Sequence, residues 1–112
     1  MLRPLGKVTV AVAGTPRSIQ SVLTAAGLRF KAYHAAHLQA LDTNSGKVYI
    51  GTSTMVAATR VGCIHILAAP TGGVIPSVGM ALQGAAAGID IAEVYLDVDT
   101  DGEGVLLTLL EA

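Results

Sequence analysis

Charge is scarce in this chain. Asp, Glu, Lys and Arg together make up 13% of its 112 residues, about half the usual share for a soluble domain. Tryptophan is absent, aromatics amount to 4%, and there is one cysteine. With Cys63 alone no intrachain disulfide can form, so a stapled scaffold is excluded. Few charges and 13 glycines exclude a coiled coil, which needs charged flanks on an unbroken helix. Disorder is excluded from the other side, because 52% of the residues are hydrophobic and such a chain collapses. Basic residues are spread out, only Phe30, Tyr33, Tyr49 and Tyr95 could stack bases, and the net charge is −1. That argues against a nucleic-acid groove.

Long unbroken apolar runs are missing too. No Asp, Glu, Lys or Arg lies between Val61 and Ile89, but Pro70, Pro76, Gly62, Gly72, Gly73, Gly79, Gly84 and Gly88 interrupt the stretch. A spanning helix needs about 20 predominantly apolar residues, and Pro70-Thr71-Gly72-Gly73 reads as a turn. No membrane span is expected. Met1 to Leu5 has no long apolar core behind it, so no signal peptide is expected and the chain should fold in the cytosol of the cell that makes it.

Abundance lies in Ala, Val, Leu and Ile. A chain of this length is expected to form one domain, 1–112. Such a domain buries only about two-thirds of the surface its unfolded chain exposes. The aliphatic surplus therefore exceeds what one small monomer can hide, and it points to assembly with further copies.

Short β-rich runs separated by turn residues dominate the pattern. Lys7 to Ala13 alternates, with Val8, Val10 and Val12 on one face, the signature of a half-buried strand. Further strands are predicted over Arg17–Leu23, Lys31–Leu41, Lys47–Gly51, Cys63–Ala69, Val74–Val78, Ala92–Val98 and Val105–Leu110. Asp42-Thr43-Asn44-Ser45-Gly46 has the composition of a hairpin loop. In Ala92–Val98, Val94, Leu96 and Val98 oppose Glu93, Tyr95 and Asp97. Gly79–Gly88 is ambiguous: its glycines make a weak helix, and an extended small-residue segment is preferred. About eight short strands with regular turns predict an all-β fold, an antiparallel β-sandwich, with the jelly roll among its arrangements. The last strand is apolar on both faces, Val105, Leu107 and Leu109 on one and Leu106 and Leu110 on the other. Such a strand is covered on both sides, by a loop of its own chain or by a neighbouring subunit. Ile91, Leu106, Leu109 and Leu110 are the candidate contacts between chains.

Charge is also unevenly spread. Seven basic residues and one acidic residue lie in 1–60, a net of +6, and seven acidic residues alone lie in 61–112, a net of −7. Pairing of the N- and C-terminal strands would bring these charges together; two poles meeting copies of the chain by complementarity is the other reading.

Chemical sites are few. Asp97-Val98-Asp99-Thr100-Asp101-Gly102 matches the opening of a Ca²⁺ loop, in which alternating carboxylates supply oxygens and Gly permits the turn. The twelfth position is Thr108, where the loop needs a bidentate Glu, so an EF-hand is rejected. Asp97, Asp99 and Asp101 remain candidate Ca²⁺ ligands in another cage, or simply the solvent side of a strand and its turn. His34 and His37, three apart on a strand, point to opposite faces. Cys63 and His65 would share a face, which supplies two ligands where zinc wants three or four. There is no GxSxG elbow and no HExxH, and Gly46-Lys47 lacks the first glycine and the hydroxyl residue of a P-loop. No third group orients a Cys63–His65 pair for nucleophilic chemistry. The expectation is a protein that is not an enzyme.

Four segments carry a resemblance: Lys7–Pro16 (KVTVAVAGTP), Asp42–Gly51 (DTNSGKVYIG), Val61–Ile64 leading to Leu67–Ala69, and Ile89–Val105 (IDIAEVYLDVDTDGEGV). Together they resemble a family of small tailed-bacteriophage virion structural proteins, of the capsid decoration or cement kind. The resemblance implies a β-sandwich subunit on the particle. It implies as partners further copies of itself, for instance in a trimer, and the major capsid protein. It transfers no functional residue. Two alternatives stand beside it: a neck, tail or fibre protein that binds a receptor or glycan, and a Ca²⁺-dependent binding module.

Overall fold

The computed structural model describes residues 2–25, 33–81 and 93–111. Along them run β1 (Leu2–Thr9), β2 (Arg17–Ser18), α1 (Ile19–Ala25), β3 (Tyr33–Ala40), β4 (Val48–Val56), β5 (Val61–Leu67), β6 (Ser77–Ala81), β7 (Tyr95–Val98) and β8 (Gly104–Glu111). First pairs with last and so on inward: β1 with β8, β2 with β7, β3 with β6, β4 with β5, all antiparallel. The chain is thus one long hairpin. Lateral pairing of β3 with β8 and of β4 with β7 gathers it into two four-stranded sheets, β1-β8-β3-β6 and β2-β7-β4-β5. A hairpin rolled up in this way is a jelly roll. The predicted all-β sandwich of about eight strands is present.

Period-two alternation selects the residues between the sheets. Val105, Leu107 and Leu109 of β8 point inward with Val8 of β1 and Ala36, Leu38 and Ala40 of β3. Val48, Ile50, Leu96 and Val98 meet them from the second sheet, and each of these side chains is at most 2% exposed. Full burial of one such Leu, Ile or Val contributes about 1.5–3 kcal/mol. β1 is an edge strand, which is why Pro4 is tolerated in it. Gly6, at φ 85, carries the register shift next to Pro4.

Several sequence expectations are corrected. Predicted strand 17–23 pairs for only two residues and then becomes α1, because Ile19 and Val22, three apart on a helix, both reach the core. Val12 is 58% exposed; the chain leaves the ladder after Thr9 and turns, with Thr15 N donating to Val12 O. Residues 42–46 do not close a hairpin, since β3 and β4 belong to different sheets. They form a corner that carries the chain from one sheet to the other. The terminal strands do pair, but in the register Lys7 stands opposite Leu106 and Arg3 opposite Leu109, so among the described residues this ladder sets no acidic residue directly across from a basic one. Thr71 and Val74 exchange backbone hydrogen bonds around Gly72 and Gly73, and β6 begins only at Ser77. Of the ambiguous segment 79–88, residues 79–81 are strand and the rest lies outside the described residues. Among the described residues no helix is long and apolar enough to cross a membrane.

Candidate functional site

β3 and β8 lie side by side in the middle of the first sheet, and each presents an outward row. Ala35 faces Leu110, His37 faces Thr108, and Gln39 faces Leu106. At the β1 side Leu2 lies opposite Leu110, Pro4 opposite Thr108 and Lys7 opposite Leu106. From β6, Gly79 and Ser77 lie opposite His37 and Gln39. Outward rows of a sandwich are ordinarily polar. Here Lys7 supplies the one fixed charge among these side chains, while Leu2 is 68% exposed and Leu106 and Leu110 are each 38% exposed. These three leucines are thus exposed on this face, with Thr108 between Leu106 and Leu110 and His37 and Gln39 beside them.

Of the four predicted contact residues, this face holds Leu106 and Leu110. Leu109 does not belong to it. It alternates with them and is 0% exposed in the core of its own chain, so no second subunit can reach it. Ile91 lies outside the described residues.

The acidic run lies at one end of the sandwich, and each of its carboxylates accepts at least one backbone N–H. Asp97 Oδ1 accepts the N–H of Gly14 at 2.9 Å and of Val98 at 2.8 Å. Asp101 Oδ1 accepts the N–H of Ala13 at 2.7 Å. Asp99 Oδ2 accepts the N–H of Lys47 at 3.1 Å, and its Oδ1 accepts the Tyr49 hydroxyl at 2.9 Å. Glu103 takes the N–H of Ser45 and of Gly46 at 2.7 and 3.0 Å on its two oxygens. Asn44, buried, donates Nδ2 to Gly104 O at 2.8 Å. The acidic turn therefore clasps two of the loops that cross between the sheets, 10–16 and 42–47. Asp97 is 1% exposed, not on the solvent side, because the first of these loops lies over it.

This division of labour bears on metal binding. The oxygens of Asp97, Asp99 and Asp101 face different N–H groups, and among the described residues no three of His, Cys, Asp and Glu gather as a metal would require. Cys63 and His65 do not share a face. A register shift in the β4–β5 ladder sets His65 opposite Ile50 and Cys63 opposite Gly51, neighbours that point opposite ways. Burial, and after it the charge of Asp97, pushes the Cys63 thiol above its ordinary value. A nucleophilic thiolate needs the reverse. Tyr49 is likewise raised, by burial first and then by its hydrogen bond to Asp99.

Two members of the clasp, Asn44 and Tyr49, carry no sequence motif. Their only signal is the turn-rich composition of 42–46 and the acidity of 97–103, which do not say that the two segments meet. A second feature lies on the other sheet: an open concavity of about 330 Å³ lined, among the described residues, by Thr52, Ser53, Glu93 and Tyr95. Compared with family models, with curated proteins and with solved structures, the chain gives no match.

Proposed function

We propose that this chain is a non-enzymatic structural subunit that assembles through the outward face of its β1-β8-β3-β6 sheet. Its setting would be a tailed-bacteriophage particle, as a capsid decoration or cement protein. The apolar row of Leu106 and Leu110 beside Leu2 carries the proposal. Covering it contributes about 25 cal/mol for each Å² of apolar surface removed from water, set against the desolvation of Lys7, His37, Gln39 and Thr108. The virion setting rests on the four sequence segments that resemble such proteins. In that setting the work is mechanical: copies associate, for instance as a trimer, and bridge subunits of the major capsid protein, so that many weak contacts act together. The carboxylate clasp suits the same reading, since Asp97, Asp99, Asp101 and Glu103 each hold backbone amides of the loops between the sheets.

Sedimentation velocity at micromolar concentration tests the assembly. The wild-type chain should sediment as an oligomer, and Leu106→Asp/Leu110→Asp as a folded monomer. A wild-type monomer overturns the proposal. Saturable binding to capsids that lack the protein tests the setting, and its absence removes the capsid from the reading.

A further inference from the structure

The second sheet carries an exposed aliphatic strip of its own. The β4–β5 hairpin closes with Val56 opposite Val61, and these are 47% and 64% exposed. Farther along β5, Ile64 and Ile66 are 47% and 38% exposed. Ile66 stands opposite Tyr49, which alternates with the inward Val48 and Ile50, so it lies on the outward side of that sheet. Exposure does not by itself call for aliphatic side chains here. On β4, the other strand of the hairpin, the exposed Thr52, Ser53 and Thr54 are hydroxyl residues. From Val61 to Ala81 the sequence has no Asp, Glu, Lys or Arg. The exposed Arg60 in the turn, the half-buried Cys63 and the exposed His65 are the ionisable residues along the strip.

The chain therefore exposes two aliphatic patches on different sheets, Leu2 with Leu106 and Leu110 on the first and the β5 strip on the second. Two copies related by a twofold axis cover one patch with its own likeness and leave the other in water. Head-to-tail contact does otherwise. One kind of junction then covers the first patch of one copy and the second patch of the next, and it repeats into a ring when the rotation closes. Both patches of a copy are thereby removed from water, and each Å² of apolar surface covered contributes about 25 cal/mol.

We infer that the β5 strip is the docking site for a second copy of this chain, which presents its Leu106–Leu110 face, so that copies join head to tail. This rests on the assembly proposed above and names the surface on which that face docks.

Two variants of the full chain, each with one patch spoiled, test it by sedimentation velocity at micromolar concentration: Leu106→Asp/Leu110→Asp and Ile64→Asp/Ile66→Asp. All four positions are exposed, and circular dichroism checks that each variant folds. Val61→Asp, at the most exposed position of the strip, replaces the isoleucine pair if that variant does not fold. Each variant alone should be a monomer, its self-association at least about a hundredfold weaker, because a carboxylate enclosed in an apolar contact is left without a partner. An equimolar mixture should give a two-copy species, since the first variant keeps an intact strip and the second an intact face. A strip variant that assembles as the wild type does overturns the inference and leaves the assembly face standing. Monomeric variants whose mixture stays monomeric overturn the head-to-tail arrangement. A face variant that assembles as the wild type does, or a wild-type monomer, overturns the assembly proposal and the inference together.

Discussion

Glu103 grips Ser45 across 58 positions of sequence: its Oε2 accepts the Ser45 backbone N–H at 2.7 Å and the Ser45 hydroxyl at 3.1 Å. Gly46 N–H completes the grip on Oε1. A carboxylate that receives backbone N–H groups holds a loop without needing a cation, so the corner between β3 and β4 is fixed although no ladder passes through it. The jelly roll depends on that corner. It is one of the places where the chain leaves one sheet for the other.

Acid should loosen it. Burial alone would raise the Glu103 carboxyl, but the Ser45 and Gly46 N–H groups and the Ser45 hydroxyl outweigh burial and hold it below its ordinary value of 4.5. A depressed carboxyl contributes stability above its unfolded pKa, and that contribution disappears as pH falls through the folded one. Urea midpoints should therefore fall as pH is lowered below 4.5. Glu103→Gln should lose about 1 kcal/mol at neutral pH, the scale of a net hydrogen bond, and show a flatter acid limb. Parallel acid limbs in the two proteins would contradict this account.

Asn44 tests the same corner from its buried side. Its Nδ2 and the Leu41 N–H both donate to Gly104 O, at 2.8 and 3.2 Å. Asn44→Ala removes one of these donors and should cost about 1–2 kcal/mol, read as a lower urea midpoint with an unchanged slope.

Gly104 admits no side chain. A Cβ there would fall on the Val8 carbonyl oxygen and lie 2.8 Å from Thr9 Cα, and both are backbone atoms that no rotamer change can move. Gly104→Ala should cost about 3 kcal/mol or more by forcing β1 from β8. A melting temperature equal to that of the wild type would show that the strands can separate at no cost.

Neighbouring leucines of β8 should behave differently. Leu109→Ala leaves a cavity in the core and should lose about 3 kcal/mol. Leu106→Ala, on the outward face, should change monomer stability by under about 1 kcal/mol and show its effect in sedimentation. Equal losses in urea unfolding would place both side chains in one environment, against the alternation seen here.

Calcium should leave the fold unchanged. Oδ1 of Asp97, Oδ1 of Asp101 and both oxygens of Asp99 accept hydrogen bonds from separate groups, so gathering the three carboxylates around one Ca²⁺ would disturb the clasp. A ligand that binds the folded state raises its melting temperature. Thermal melts with Ca²⁺ and with chelator should superimpose, and a rise with Ca²⁺ would revive the cage proposed from sequence.

Local signals were legible where burial follows a two-residue period. Val94, Leu96 and Val98, and Val105, Leu107 and Leu109, are inward as their alternation predicts. That logic failed where a short stretch fits two periods, as at Ile19–Ala25, and where a register shift intervenes, as between Cys63 and His65. Asp97 looked solvent-facing because its covering loop is more than 80 positions away, with |i−j| of 83 to Gly14. No local pattern carries that distance.

By itself the sequence determined the class of fold, the number of strands and the apolar excess, because these follow from side-chain chemistry and from a spacing that any strand shares. Tertiary structure alone decided three things. It paired first strand with last, set the carboxylates of an acidic run on the backbone amides of two loops, and left Leu106 and Leu110 outward while enclosing Leu109. Each depends on which distant segment arrives opposite. That is settled by the burial of the whole chain at once.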